Sequence, residues 1–173
     1  MAHRHLSRSI VLQSLFEWDF RKLPDEEIAN VVGRDITEYG PGLEDDAFIL
    51  ALTTDVLRHR SVVDDIITKA APDWPLDKIN VVDRNILRMG LTELLFGDRT
   101  QVPPKVAINE SIELAKAFGG ENSSKFINGV LGAVYKEIGE PGKDEVSKRK
   151  KDEPVDIESL PIEKKVGAVV YAL

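Results

Sequence analysis

The chain contains no cysteine, which excludes disulfide bonds and thiolate metal sites. It has no apolar run approaching the roughly 20 residues that span a bilayer. The N-terminal stretch MAHRHLSRSIVLQ carries basic residues but lacks the uninterrupted apolar core and small-residue cleavage site of a secretory leader. Its apolar positions run straight on into a helical pattern, so it reads as mature protein, and a cytoplasmic location is the simplest expectation. Only three histidines occur, two near the N-terminus and His59 on a charged helix end, so no metal cluster is visible. Nothing resembles a nucleophile elbow, and no glycine-rich phosphate loop follows a strand. The adjacent acids Asp45-Asp46 and Asp64-Asp65 splay across a helix surface instead of converging. These absences argue against an enzyme and against a bound cofactor.

Positive charge is also scarce. The balance of 23 Lys and Arg against 30 Asp and Glu leaves a net charge of −7, which argues against a generally basic nucleic-acid binder. The distribution is uneven. Residues 1–22 carry Arg4, Arg8, Arg21 and Lys22 against Glu17 and Asp19, whereas residues 23–46 carry eight acids against Arg34 alone. Any nucleic-acid-binding surface must therefore be a local patch on an acidic body, weak by itself and in need of a partner.

What remains is helical. With 173 residues, 42% apolar and 31% charged, the chain is long enough for one domain with a real core. Helical period dominates from Leu6 to Ile138. The first helix has Val11, Leu12, Leu15, Phe16 and Trp18 as core candidates and ends before Pro24. Pro24 followed by three acids starts a second, with Ile28, Val31, Val32 and Ile36 in one stripe. A third runs from about Glu44 to Arg60 with Phe48, Leu52 and Val56 on one side. Ser61 and Asp64 have capping-box spacing before Val63, Ile66 and Ile67, and Asn80 and Asp83 are placed to cap the next helix. No convincing alternating strand occurs in this span. The expectation is an all-α domain of about seven helices, joined by short connections.

After Ile138 the character changes. Residues 139–165 hold the run Lys148-Arg149-Lys150-Lys151 among acids and three prolines, a composition that reads as a charged linker. Residues 166–173 form an apolar, β-branched tail. This tail is expected either to be the first strand of a truncated further domain, faintly like that of a Nudix hydrolase, or to dock on the helical body.

The densest information lies in Val106 to Leu131, VAINESIELAKAFGGENSSKFINGVL. Two amphipathic helical patterns are split by Gly119-Gly120, which would supply a left-handed stop, after which Ser123 or Ser124 can cap the second helix. Upstream, Val81 to Leu94 reads VVDRNILRMGLTEL, and Arg8 to Trp18 has the form R-x-x-x-x-Q-x-L-F-x-W. In this order, from about Arg4 to Ile138, the three motifs resemble the NusB family of bacterial transcription antitermination factors. The resemblance implies two small helical bundles packed across one another, and a domain over 1–138 that binds RNA. It further implies boxA-type single-stranded RNA and the small-subunit ribosomal protein NusE as partners, within the RNA polymerase antitermination complex. The same helical domain also occurs as the RNA-targeting part of ribosomal RNA cytosine methyltransferases. An enzyme-fused module and a scaffold that has lost RNA binding are thus the alternative functions.

Candidate RNA-binding residues begin at the N-terminus. Arg4 and Arg8 lie four apart on one helix face, where guanidinium groups can contact phosphates and stack on bases. The family carries an arginine-rich segment here. With His5 and Leu6 in places where relatives often have arginine, weaker binding is expected, with some pH dependence through His3 and His5. Phe16 stands where the family has an aromatic near the RNA; it is either a stacking platform or core, and Gln13 beside it could reach a base edge. Asn122, Ser123 and Lys125 open the last helix, whose free amides suit a phosphate. Gly129 and Gly132 are expected to allow close helix packing. Where the family pattern reads GVLD, Gly132 replaces the acid. Arg84, Arg88 and Glu93 read from their spacing as surface i,i+4 pairing, whereas the resemblance implies that Arg88 and Glu93 belong to the face that meets NusE.

Overall fold

The computed structural model describes residues 2–143. Seven α-helices follow one another: α1 (Ala2–Phe20), α2 (Ile28–Tyr39), α3 (Asp46–Arg58), α4 (Arg60–Ala70), α5 (Val81–Phe96), α6 (Pro104–Phe118) and α7 (Ser123–Glu137). Single 3-10 turns at Asp25–Glu27 and Leu76–Lys78 lead into α2 and α5. α1 packs on α2 and α3 to make one bundle, α4 to α7 make the second, and the contacts of α5 with α1 and α3 join them. The expected linker from residue 144 onward and the 166–173 tail lie outside the described residues.

α5 is the axle. Every residue from Asn85 to Leu95 is buried, so this helix has no solvent face over three turns. Ile86, Leu87, Met89, Leu91 and Leu94 supply apolar contact on all sides. Its start is capped as the sequence suggests: the Asn80 side chain accepts a hydrogen bond from the Asp83 backbone N–H at 2.8 Å. Full burial forces its polar side chains, Asn85, Arg88, Thr92 and Glu93, to find partners inside the protein, because an unpaired buried charge is costly.

Several local expectations are corrected. On α3, Leu52 and Val56 are buried and half-buried Phe48 packs against the same core, as their spacing suggests, but Ile49 and Thr53, not foreseen, are buried beside them. No capping box forms at Ser61, because α3 and α4 abut at His59 and the helix is already running at Arg60. The His59 ring stacks on Phe96 at 3.9 Å. Gly119 is not left-handed, with φ −88° and ψ −177°. Glycine is needed there for space: a Cβ would stand 2.5 Å from Ser123 and 2.6 Å from the Ala115 carbonyl oxygen. Gly129 and Gly132 have the opposite environment, with nothing within 4 Å of a Cβ, so they do not mediate close packing.

Candidate nucleic-acid interface

α1 brings Arg4, His5 and Arg8 to the junction of the bundles, but the three side chains have different fates. Arg8 is 3% exposed and does not share a solvent face with Arg4. Its Nε donates to Glu93 Oε1 at 2.8 Å and its Nη2 to Glu93 Oε2 at 2.7 Å, a two-pronged pair between α1 and α5. Burial works against the Arg8 charge, but the hydrogen bonds and charge of Glu93 outweigh it and hold the guanidinium pKa above its ordinary value. Arg4 remains partly exposed, with its Nε 3.2 Å from Asp45 and its guanidinium 4.0 Å above the Phe48 ring. His5 is exposed and its Nδ1 lies 2.9 Å from Glu110 of α6.

Glu93 and Arg88, expected on a partner-facing surface, are likewise interior. Arg88 donates through Nε and Nη2 to Asp64 of α4 and through Nη1 to Asp19 of α1. Arg84 donates to the same Asp19 carboxylate through Nε at 2.8 Å and Nη2 at 3.0 Å, and Asn85 Nδ2 adds a bond at 2.9 Å. Burial alone would raise the Asp19 pKa, but these donors and the Arg88 charge together depress it. Trp18 lies beside the cluster, with the Arg60 and Arg88 guanidinium groups 5.0 and 5.7 Å from its ring. Surface i,i+4 pairing is thus replaced by a network that ties α1, α4 and α5 together.

The solvent face of α1 is aromatic. Phe16 is 37% exposed, not part of the core, and stacks in parallel on Phe20 one turn later at 5.6 Å. With half-buried Gln13 it lines a groove of about 360 Å³ between α1, α2 and the α6 end, closed by Tyr39, Val82 and Phe118. Phe20, Tyr39 and Phe118 are 66%, 48% and 42% exposed, and were missed from sequence alone. Phe20 could have been found from its i+4 spacing to Phe16. Tyr39 and Phe118 approach only through the fold. Arg34 borders the groove but is committed to Glu17 and Asp35, and these hydrogen bonds raise its pKa.

Beyond Phe118 the chain turns into α7. Asn122 occupies the N-cap position without a side-chain capping bond, and Asn122 and Lys125 are exposed. Ser123 is buried and caps nothing in its own helix; its Oγ accepts from the Gly120 N–H at 2.8 Å, which pins the α6–α7 turn. Trp74, 56% exposed, meets the Phe126 ring edge-on nearby. Among the described residues no helix is long and apolar enough to cross a membrane.

The described residues define an all-helical double bundle with an exposed aromatic groove along its first helix. The chain belongs to the NusB family, whose model matches residues 5–136. It is 40% identical over 140 residues to the transcription antitermination protein NusB of Dehalococcoides mccartyi, covering 81% of this chain and 94% of that one. T. maritima NusB has a similar structure, with a TM-score of 0.68 and 33% identity over 78% of this chain and 91% of its own. A crystal structure of the antitermination factors NusB and NusE in complex with dsRNA contains a chain matching at TM-score 0.67 and 27% identity. That match covers 79% of this chain and 98% of the other.

Proposed function

We infer that this protein is a transcription antitermination factor. It binds boxA-type RNA jointly with NusE and holds that RNA on the RNA polymerase antitermination complex, in the cytoplasm, making and breaking no covalent bond. The observation that carries this reading is the shared sequence and fold with NusB proteins, including the one in a NusB–NusE–RNA assembly. Near-complete coverage of NusB relatives favours it over an RNA-targeting module within a larger enzyme.

On this reading the RNA follows the exposed face of α1 and the start of α7. Phe16, with its stacked neighbour Phe20, offers π-faces to unstacked bases, and Gln13 supplies a polar edge beside them. His5, Asn122 and Lys125 serve the backbone, with Arg4 available if Asp45 releases it. Arg8, Glu93, Arg88 and Ser123 act indirectly, by fixing α1 against α5 and fixing the α6–α7 turn. The excess of 30 acidic over 23 basic residues suits a basic partner protein.

Fluorescence anisotropy of a labelled boxA-type RNA, with and without NusE and at two salt concentrations, tests the function. Tight, salt-sensitive binding only with NusE supports it. Intact NusE binding with no RNA binding under either condition would leave a helical scaffold.

A further inference from the structure

The first turns of α1 carry Arg4, His5 and Arg8, and the body of the protein meets each of them with an acid. Arg8 pairs with Glu93 of α5, His5 with Glu110 of α6, and Arg4 with Asp45 at the entry to α3. The three contacts differ in how firmly they hold. Arg8 and Glu93 are both buried, so neither can leave without stranding the charge of the other. His5 offers a cation only when protonated. Arg4 is always charged, and its side chain is 40% exposed against 14% for Asp45. Of the three, Arg4 alone combines a permanent charge with access to solvent.

Asp45 is placed for this contact and not for its own helix. It occupies the N-cap position of α3, where an aspartate ordinarily accepts from a backbone N–H of the first turn, yet its side chain makes no such bond. Instead its Oδ2 accepts from the Ser7 hydroxyl at 2.6 Å and lies 3.2 Å from Arg4 Nε. Ser7 is fully buried, so this bond fixes the carboxylate against α1 and beside Arg4. Phe48 completes the seat, with the Arg4 guanidinium 4.0 Å from its ring centre. Arg4, Asp45 and Phe48 line one groove beside α3, whereas Phe16 lines the other, between α1, α2 and the end of α6. The contact thus draws the guanidinium toward α3 and off the face that holds Phe16.

We propose that Asp45 is an internal competitor for RNA phosphate, which withholds Arg4 from the RNA and lowers the affinity of the chain. The inference rests on the reading of α1 as part of the RNA path. An exposed ion pair is weak and screened by salt, and a phosphate engages a guanidinium with the same charge-assisted geometry as a carboxylate. RNA and Asp45 therefore compete for one cation on nearly equal terms.

Asp45→Asn removes the charge while keeping an oxygen for Ser7. Its affinity for boxA-type RNA, read by anisotropy with NusE present, should rise about fivefold, the upper worth of an exposed pair. Its salt slope should steepen by about 0.7, the value of one added phosphate contact on a single strand. Arg4→Ala/Asp45→Asn should lose both gains, and Arg4→Ala should cost less in the parent than in the Asp45→Asn background. Glu44→Gln, which neutralises the neighbouring exposed acid, should stay within about twofold of the parent. Unchanged affinity in Asp45→Asn, a gain that survives in the double variant, or an equal gain in Glu44→Gln would overturn the proposal. Any of these results, with RNA still bound by the parent, overturns the competition and leaves the function standing. RNA binding by Asp45→Asn but not by the parent supports the competition, whereas no RNA binding by any of these proteins overturns both.

Discussion

Arg8 of α1 and Glu93 of α5, 85 residues apart, form a buried two-pronged ion pair at the seam of the two bundles. Removing one partner leaves the other as an uncompensated buried charge. Arg8→Met or Glu93→Leu alone should therefore cost about 3–5 kcal/mol, whereas the double variant should recover most or all of the loss. Urea unfolding followed by tryptophan fluorescence reads all three.

Asp19 gives the fold a defined acid sensitivity. Its folded-state pKa lies below the unfolded value because Arg84, Asn85 and Arg88 outweigh its burial. The ionised carboxylate therefore contributes in full above the unfolded value of about 4, and the contribution is lost as pH falls through the folded pKa. Asp19→Asn should destabilise at pH 7 and differ less from the parent as pH drops below about 4. A stability difference that stayed constant between pH 7 and pH 3 would contradict this role.

Phe20 projects into solvent and contributes little to the core. Phe20→Ala should change stability by no more than about 0.5 kcal/mol. If bases stack on the Phe16–Phe20 pair, Phe16→Ala should weaken RNA binding in the presence of NusE by about 1–3 kcal/mol, with Phe20→Ala smaller. Unchanged RNA affinity in both variants would remove the pair from the RNA path.

Two glycines should respond in opposite directions. Gly119→Ala drives a methyl group into the Ala115 carbonyl and Ser123, and should cost about 1–3 kcal/mol. Gly129→Ala adds a methyl group to an exposed helical position with open space, and should gain up to about 1 kcal/mol. Thermal melts of the two variants check both signs.

The helices were legible because their apolar residues recur at helical spacing between strong breaks such as Pro24, Tyr39–Gly42 and Pro72–Pro75. The Asn80 cap was legible for the same local reason. Burial of charge was not. Arg8 sits on the same stripe as Leu12 and Leu15, and Glu93 on the stripe of Ile86 and Met89. Each position carried a core signal in its spacing, but a single helix does not reveal that its charge is met from another 85 residues away. Gly119 shows a different limit, because its small size answers a tertiary contact and not a backbone angle. The Phe16 groove became visible only when Tyr39 and Phe118, from two other helices, were brought beside it.

The most direct test of this account is the RNA affinity of the Arg8→Met/Glu93→Leu double variant, measured by anisotropy with NusE present. If Arg8 serves to position α1, the refolded double variant should bind boxA-type RNA within about threefold of the parent, less than 1 kcal/mol. A loss of about a hundredfold, with NusE binding and stability intact, would show that Arg8 leaves Glu93 to hold the RNA itself.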